Sequence, residues 1–158
     1  MQPNYPIFVL RHRKENLKKC SLRGLELRNH FRFFTYPTDS LPDLDSYFLL
    51  TLDGPVLSET DKNQGLLLVD GTWKYAETMV RQVKKSSKGL VCRSLPSHFR
   101  TAYPRRQEDC PDPEAGLASI EALYIAFHLL GWTKEGLLDH YYWKEKFLSM
   151  NFTFDIKQ

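Results

Sequence analysis

No apolar run in this chain approaches the roughly 20 residues that a membrane-spanning helix needs. A short apolar stretch near the start, within MQPNYPIFVLRHRK, is followed by its charges rather than preceded by them, the reverse of a secretory signal. Cysteine is scarce: Cys20, Cys92 and Cys110 stand far apart with no C-x-x-C spacing, which argues against a disulfide framework and for free thiols in a reducing cytoplasm. The five histidines are dispersed and none pairs with a cysteine at metal-ligand spacing, so no metal site is expected. Glycine-rich phosphate loops, H-E-x-x-H and G-x-S-x-G are all missing, as are internal repeats and low-complexity tracts. These gaps exclude the commonest nucleotide, zinc and serine-hydrolase chemistries.

What is present suits one compact domain: 158 residues can bury a real core, and 42% are hydrophobic. Aromatics reach 13%, enough rings both for packing and for stacking on bases. The net charge of +3 conceals an alternation. Residues 11–33 hold eight Lys/Arg against two Glu, residues 39–61 hold six acids and no Lys or Arg, and residues 74–106 hold nine Lys/Arg against Glu77. Two basic blocks around an acidic one predict a face turned toward a polyanion. Arg11, Arg13, Lys18, Lys19 and Arg23 in the first block, with Arg100, Arg105 and Arg106 in the second, are the candidate phosphate contacts.

Strands are predicted over 5–10, 32–37, 47–52, 66–69 and 89–96 from short apolar, branched or aromatic runs bounded by turn residues. Helical spacing over SLRGLELRNHF, after Gly71 and over 117–131 predicts helices, the last stopped by Gly131. Ser58 is positioned to start a short helix, and 134–151 reads as a helical hairpin. Pro- and acid-rich 103–116 reads as a loop. Alternating strands and helices imply an α/β fold with a mostly parallel sheet, whose ligands collect where strand ends meet helix starts.

One such junction is GLLLVDGTWKYAETM. The apolar strand LLLV ends on Asp70, and Gly71, Thr72 and Trp73 follow before the helix. A helix cap with Trp73 in the core is the plain interpretation. It accounts for Thr72 but not for a strand ending on a charge. Ser119 is placed to cap the helix beginning in LASIEA, with Glu121 in its first turn where a negative charge suits the helix dipole. His128, inside that helix, is read as a packing residue.

Taken together, Asp70-Gly71-Thr72-Trp73, LASIEALYIAFHLLG, RHRKENLKKCS with its His12 and Glu15, and FLLTLDGP resemble the DTW-domain family along nearly the whole chain. That family transfers the 3-amino-3-carboxypropyl group of S-adenosylmethionine to uridine in RNA. The chain departs from the family pattern in having no N-terminal cysteine cluster, in Cys20 where asparagine is usual and in Leu52 where proline is usual. The C-terminal LLDHYYWKEKFLSMN is also similar to the related small-subunit rRNA enzymes.

The resemblance implies a SPOUT-like knotted α/β domain, with an N-terminal lobe over 1–62 and a cofactor-binding lobe over 63–158. It implies S-adenosylmethionine bound by Ser21, Asp70, Thr72, Trp73, Leu95, Pro96, Ser119, Glu121 and Ala122. Ser21 would hold the carboxylate, Trp73 would wall the methionine moiety, and Leu95 and Pro96 would lie near adenine. Asp70 is the implied catalytic residue, accepting a proton from the uracil nitrogen or orienting it. A tRNA uridine is the first expectation for the acceptor and small-subunit rRNA the alternative. A SPOUT-type RNA methyltransferase and a non-catalytic RNA-binding module are the two competing functions. The oligomeric state is left open.

Overall fold

The computed structural model describes residues 1–104 and 116–152. Five strands form one sheet: β1 (Ile7–His12), β2 (Phe31–Tyr36), β3 (Tyr47–Leu50), β4 (Gly65–Asp70) and β5 (Val91–Arg93). Their order is β2-β1-β4-β3-β5, and every neighbouring pair is parallel. Among the described residues, three α-helices flank it: α1 (Trp73–Ser86), α2 (Ser119–Leu130) and α3 (Lys144–Asn151). This is the expected α/β class with a parallel sheet.

Strand alternation sorts the core into two layers. Ile7 and Val9 of β1, Phe48 and Leu50 of β3, and Leu66 and Leu68 of β4 pack with α2, Phe147 of α3 and the segment carrying Trp132, Leu137 and Leu138. Phe8, Leu10, Leu49 and Leu67 point the other way, onto Met79 and Val83 of α1. Sheets covered on both faces need apolar residues at successive positions, which is why IFVL and LLLV lack polar alternation. Helix α2 is buried on most sides, through Ile120, Leu123, Ile125, Ala126, Phe127 and Leu130. Gly131 ends it at φ 73°, a left-handed conformation in which the glycine N–H reaches the His128 carbonyl.

Three local expectations change. The basic SLRGLELRNHF segment is not an α-helix; only Leu25–Leu27 forms a single 3-10 turn, after Gly24 at φ 98°. A residue in the left-handed region interrupts helical propagation there. The Ser58 start yields one 3-10 turn, Glu59–Asp61. The C-terminal hairpin reduces to α3, preceded by turns that include Gly136 at φ 79°. The loop over 103–116 lies mostly outside the described residues.

Candidate active site

The chain leaves β1 toward β2 on one side and leaves β4 toward β5 on the other, so the carboxyl ends of β1 and β4 bound a topological switch point. Such a crevice is where open parallel sheets bind ligands. The two connections also run on opposite faces. Cys20, Leu22 and Leu25 of the β1–β2 link pack on the α2 side, and α1 covers the other.

Strand register places Arg11 opposite Asp70. Counting by twos from Ile7 and Leu66, both side chains point to the α2 face. There Asp70, only 3% exposed, accepts from three donors. Arg11 Nε lies 3.2 Å and Cys20 Sγ 3.3 Å from its Oδ2, and Ser119 Oγ lies 2.7 Å from its Oδ1. Asp70 is therefore not the helix cap. Thr72 holds the N-cap position of α1, and its carbonyl accepts the Ala76 N–H at 2.8 Å. Ser119 does not cap α2 either: its hydroxyl is spent on Asp70, and Ser21 Oγ instead accepts the Ile120 N–H at 3.1 Å.

Arg11 requires a correction. It is 9% exposed, donates to Asp70, to Glu26 Oε2 at 3.0 Å and to Cys20 Sγ at 3.4 Å, and lies over the Phe33 ring. It cannot reach a phosphate, because the strand carries it into the sheet. Arg13, Lys18, Lys19 and Arg23, which follow it outside the strand, are exposed. Arg100 is exposed too, and its guanidinium donates to the carbonyls of Ser97 and Phe99. Arg105 and Arg106 lie outside the described residues.

A cleft of about 470 Å³ opens over this cluster, lined among others by Glu15, Ser21, Asp70, Thr72, Trp73 and Ser119. Cofactor sites typically span about 300–1,000 Å³, so the space suits a nucleoside-sized ligand. Trp73 is half-buried in this wall, not in the core. Lys19, Lys74 and Tyr103 complete the polar rim.

Glu121, Leu95, Pro96 and Ala122 are not part of the cleft lining. Glu121 is fully buried and carries four donors: Thr101 Oγ1 at 2.6 Å, the Ala102 and Ala118 N–H groups at 2.8 Å each, and the Tyr141 hydroxyl at 3.0 Å. It fastens the 101–103 segment and the Tyr141 segment to the start of α2. Leu95 packs against the larger core layer.

Burial, reinforced by the negative charge of Asp70, pushes the Cys20 thiol up to about 12, so it remains a neutral donor at physiological pH. Ligand atoms of Glu15, Cys20 and Asp70 lie within 4.8 Å of one another. The Arg11 guanidinium already lies against two of these three, 3.2 Å from Asp70 Oδ2 and 3.4 Å from Cys20 Sγ. The cleft lining carries the carboxylates of Glu15 and Asp70 and the ammonium groups of Lys19 and Lys74, so charges of both signs face its space. A ligand that carries both a cation and a carboxylate finds a group of opposite sign for each.

The sequence reading missed the roles of Cys20, Glu26 and Tyr141. Only Cys20 gave a signal, as the departure from the family's asparagine.

No family model and no curated protein matches this sequence. Among solved structures, the chain is similar to the SAM-dependent rRNA:acp-transferase Tsr3 from Vulcanisaeta distributa, with a TM-score of 0.71 and 24% identity. The alignment covers 98% of this chain and 81% of that one, and the likeness establishes a shared fold.

Proposed function

We propose that this protein transfers the 3-amino-3-carboxypropyl group of S-adenosylmethionine to a uridine-type base in RNA. The observation that carries this reading is the Asp70–Trp73 corner. A strand ends on a buried carboxylate at the switch point, and a half-buried tryptophan walls the cleft beside it. The fold likeness to Tsr3, described as acting on rRNA, favours ribosomal RNA as acceptor over the tRNA first expected.

When bound, S-adenosylmethionine supplies a sulfonium-activated carbon with a neutral thioether leaving group. The carboxylates of Glu15 and Asp70 attract the sulfonium of a bound ligand, which strengthens binding without itself accelerating transfer. Trp73 excludes water from one side of the cleft. Ser21, whose oxygen already accepts from Ile120, retains its own proton to donate to a ligand carboxylate. A carboxylate offers about four acceptor positions, and three donors already occupy Asp70. It keeps room for one more proton donor, as a base or an orienting acceptor for the uracil imino group requires.

Incubating the protein with S-adenosylmethionine and either rRNA or tRNA decides the matter. Methylthioadenosine and an RNA nucleoside heavier by the aminocarboxypropyl group are expected from the rRNA incubation. Release of S-adenosylhomocysteine would identify a methyltransferase instead. Modification of tRNA alone would restore tRNA as the acceptor.

A further inference from the structure

On the opposite face of the sheet from Asp70, the same strand ends build a second feature. His12 follows Arg11 and therefore points toward α1, where its ring stacks on Tyr75 with centroids 3.9 Å apart and planes 6° from parallel. Tyr36, at the end of β2, leans against His12 at 5.8 Å. Burial and the charges of Arg13 and Lys14 lower the pKa of His12, so the stack is of neutral rings at pH 7. The Lys14 N–H donates to His12 Nδ1 at 3.1 Å and fixes the imidazole plane. Gly71 lies beside the stack, where a Cβ would be at ordinary contact distance, 3.4 Å from His12 Cβ and 3.6 Å from Tyr75 Cβ.

Tyr75 is 38% exposed although one face is covered by His12. Arg13, Lys14 and Lys74, its chain neighbours and those of His12, are exposed and form no ion pair among the described residues. Lys74 and Gly71 also line the cleft, so the stack adjoins it without being part of it. A rigidly backed aromatic ring among uncompensated cations is how single-stranded nucleic acid is held without sequence readout: bases stack and phosphates pair. Plain packing accounts for the buried face of Tyr75; its open face stays exposed beside His12, whose imidazole feels the charges of Arg13 and Lys14, and next to Lys74 in the chain.

We propose that Tyr75, backed by His12, is a stacking platform for an unpaired RNA base flanking the target nucleotide, with Arg13, Lys14 and Lys74 on the adjoining phosphates. This rests on the RNA-modifying function proposed above. The test is titration of a fluorescent single-stranded oligouridine into the parent protein and the variants Tyr75→Ala, Tyr75→Phe and the double variant Arg13→Ala/Lys14→Ala. S-adenosylmethionine affinity and melting temperature are measured on the same samples.

Tyr75→Ala is expected to bind RNA roughly 5- to 100-fold more weakly, the span of base–aromatic stacking, with cofactor affinity retained. Tyr75→Phe, which keeps the ring, should bind like the parent. The double variant should flatten the log–log salt dependence by about 1.4, two single-strand phosphates' worth. If the alanine variant unfolds, the double variant, altered only at exposed side chains, still decides. RNA affinity and salt slope like the parent's, in a parent that does bind, overturn the platform and leave the proposed function standing. A parent that binds no RNA overturns both.

Discussion

Asp70 illustrates how a single side chain acquires its role from partners that no local pattern reveals. Its charge is met by Arg11 inside the sheet, so Asp70→Asn has two consequences. Removing one member of a buried ion pair typically costs about 3–5 kcal/mol; retention of Glu26 by Arg11 should keep the loss near the lower end. Single-turnover transfer should fall roughly 10²- to 10⁴-fold if the carboxylate accepts or orients the imino proton. Assaying the variant well below its own melting temperature separates the two effects. Parental turnover under those conditions would make Asp70 purely architectural. Trp73→Ala should weaken cofactor binding while costing less than the about 3–5 kcal/mol of a fully buried aromatic truncation, since the ring is half-buried in the cleft wall. Calorimetry and thermal melting on one sample check this. Cys20 gives a pH signature. Its folded pKa of about 12 lies above its ordinary value of 9.0, so the unfolded chain sheds its proton first. Below about 9 the group adds no pH dependence; from there toward about 12 the folded state loses stability. Tyr47, raised from 10.0 to about 12 mainly by burial, acts in the same direction. The stability difference between parent and Cys20→Ser should therefore shift against the parent across alkaline pH, as urea melts would show.

At the scale of elements, Glu121 holds the start of α2, the 101–103 segment and Tyr141 together through one buried carboxylate. Such a hub is sensitive to a change of partner type. Glu121→Gln replaces an acceptor with an amide donor facing existing donors, and an unsatisfied buried polar group costs about 1–3 kcal/mol, more where charge was involved. Tyr141→Phe removes one donor from a carboxylate that keeps three others and should cost about 1 kcal/mol. Thermal melts should rank the glutamine variant well below the phenylalanine variant. Equal losses would mean that Tyr141, rather than the carboxylate, organises the junction. Because Ser119 belongs to the same helix start, Glu121→Gln should also reduce transfer by loosening the hydrogen bond to Asp70, with the cofactor-free stability change as its companion.

Across the whole molecule the charge alternation resolves into a division of labour. The basic side chains after β1, from Arg13 to Arg23, stay at the surface beside the cleft, while Cys20 and Leu22 between them turn into the core. Part of the acidic block turns inward instead: Asp61 pairs with Arg93 at 3.1 Å, joining the two blocks across the sheet edge. RNA binding should weaken with salt, by a log–log slope of about 0.7 for each neutralised single-strand phosphate. Lys18→Ala/Lys19→Ala should flatten that slope by about 1 to 2, read by filter binding across a salt series. An unchanged slope would shift the phosphate track toward Arg100.

The α/β class, the four longer strands and α1 and α2 follow from the sequence alone. Uninterrupted apolar runs such as LLLV suit strands covered on both faces, and helical spacing up to Gly131 marks a helix with a defined stop. The Asp70–Trp73 corner was legible for the same reason: a charge ending an apolar strand is a local anomaly. Arg11 was not legible. Its neighbours Arg13 and Lys14 are equally basic, and only the β1–β4 register decides that Arg11 enters the sheet opposite Asp70 while they remain outside. The contact with the start of α2 expected of Ser119 likewise falls to Ser21, because the Ser21–Ile120 bond spans 99 residues of chain and the Ser119–Asp70 bond 49. Propensity and periodicity act within a few residues; strand order and register bring distant residues together, and these were decided only when the sheet closed over its core.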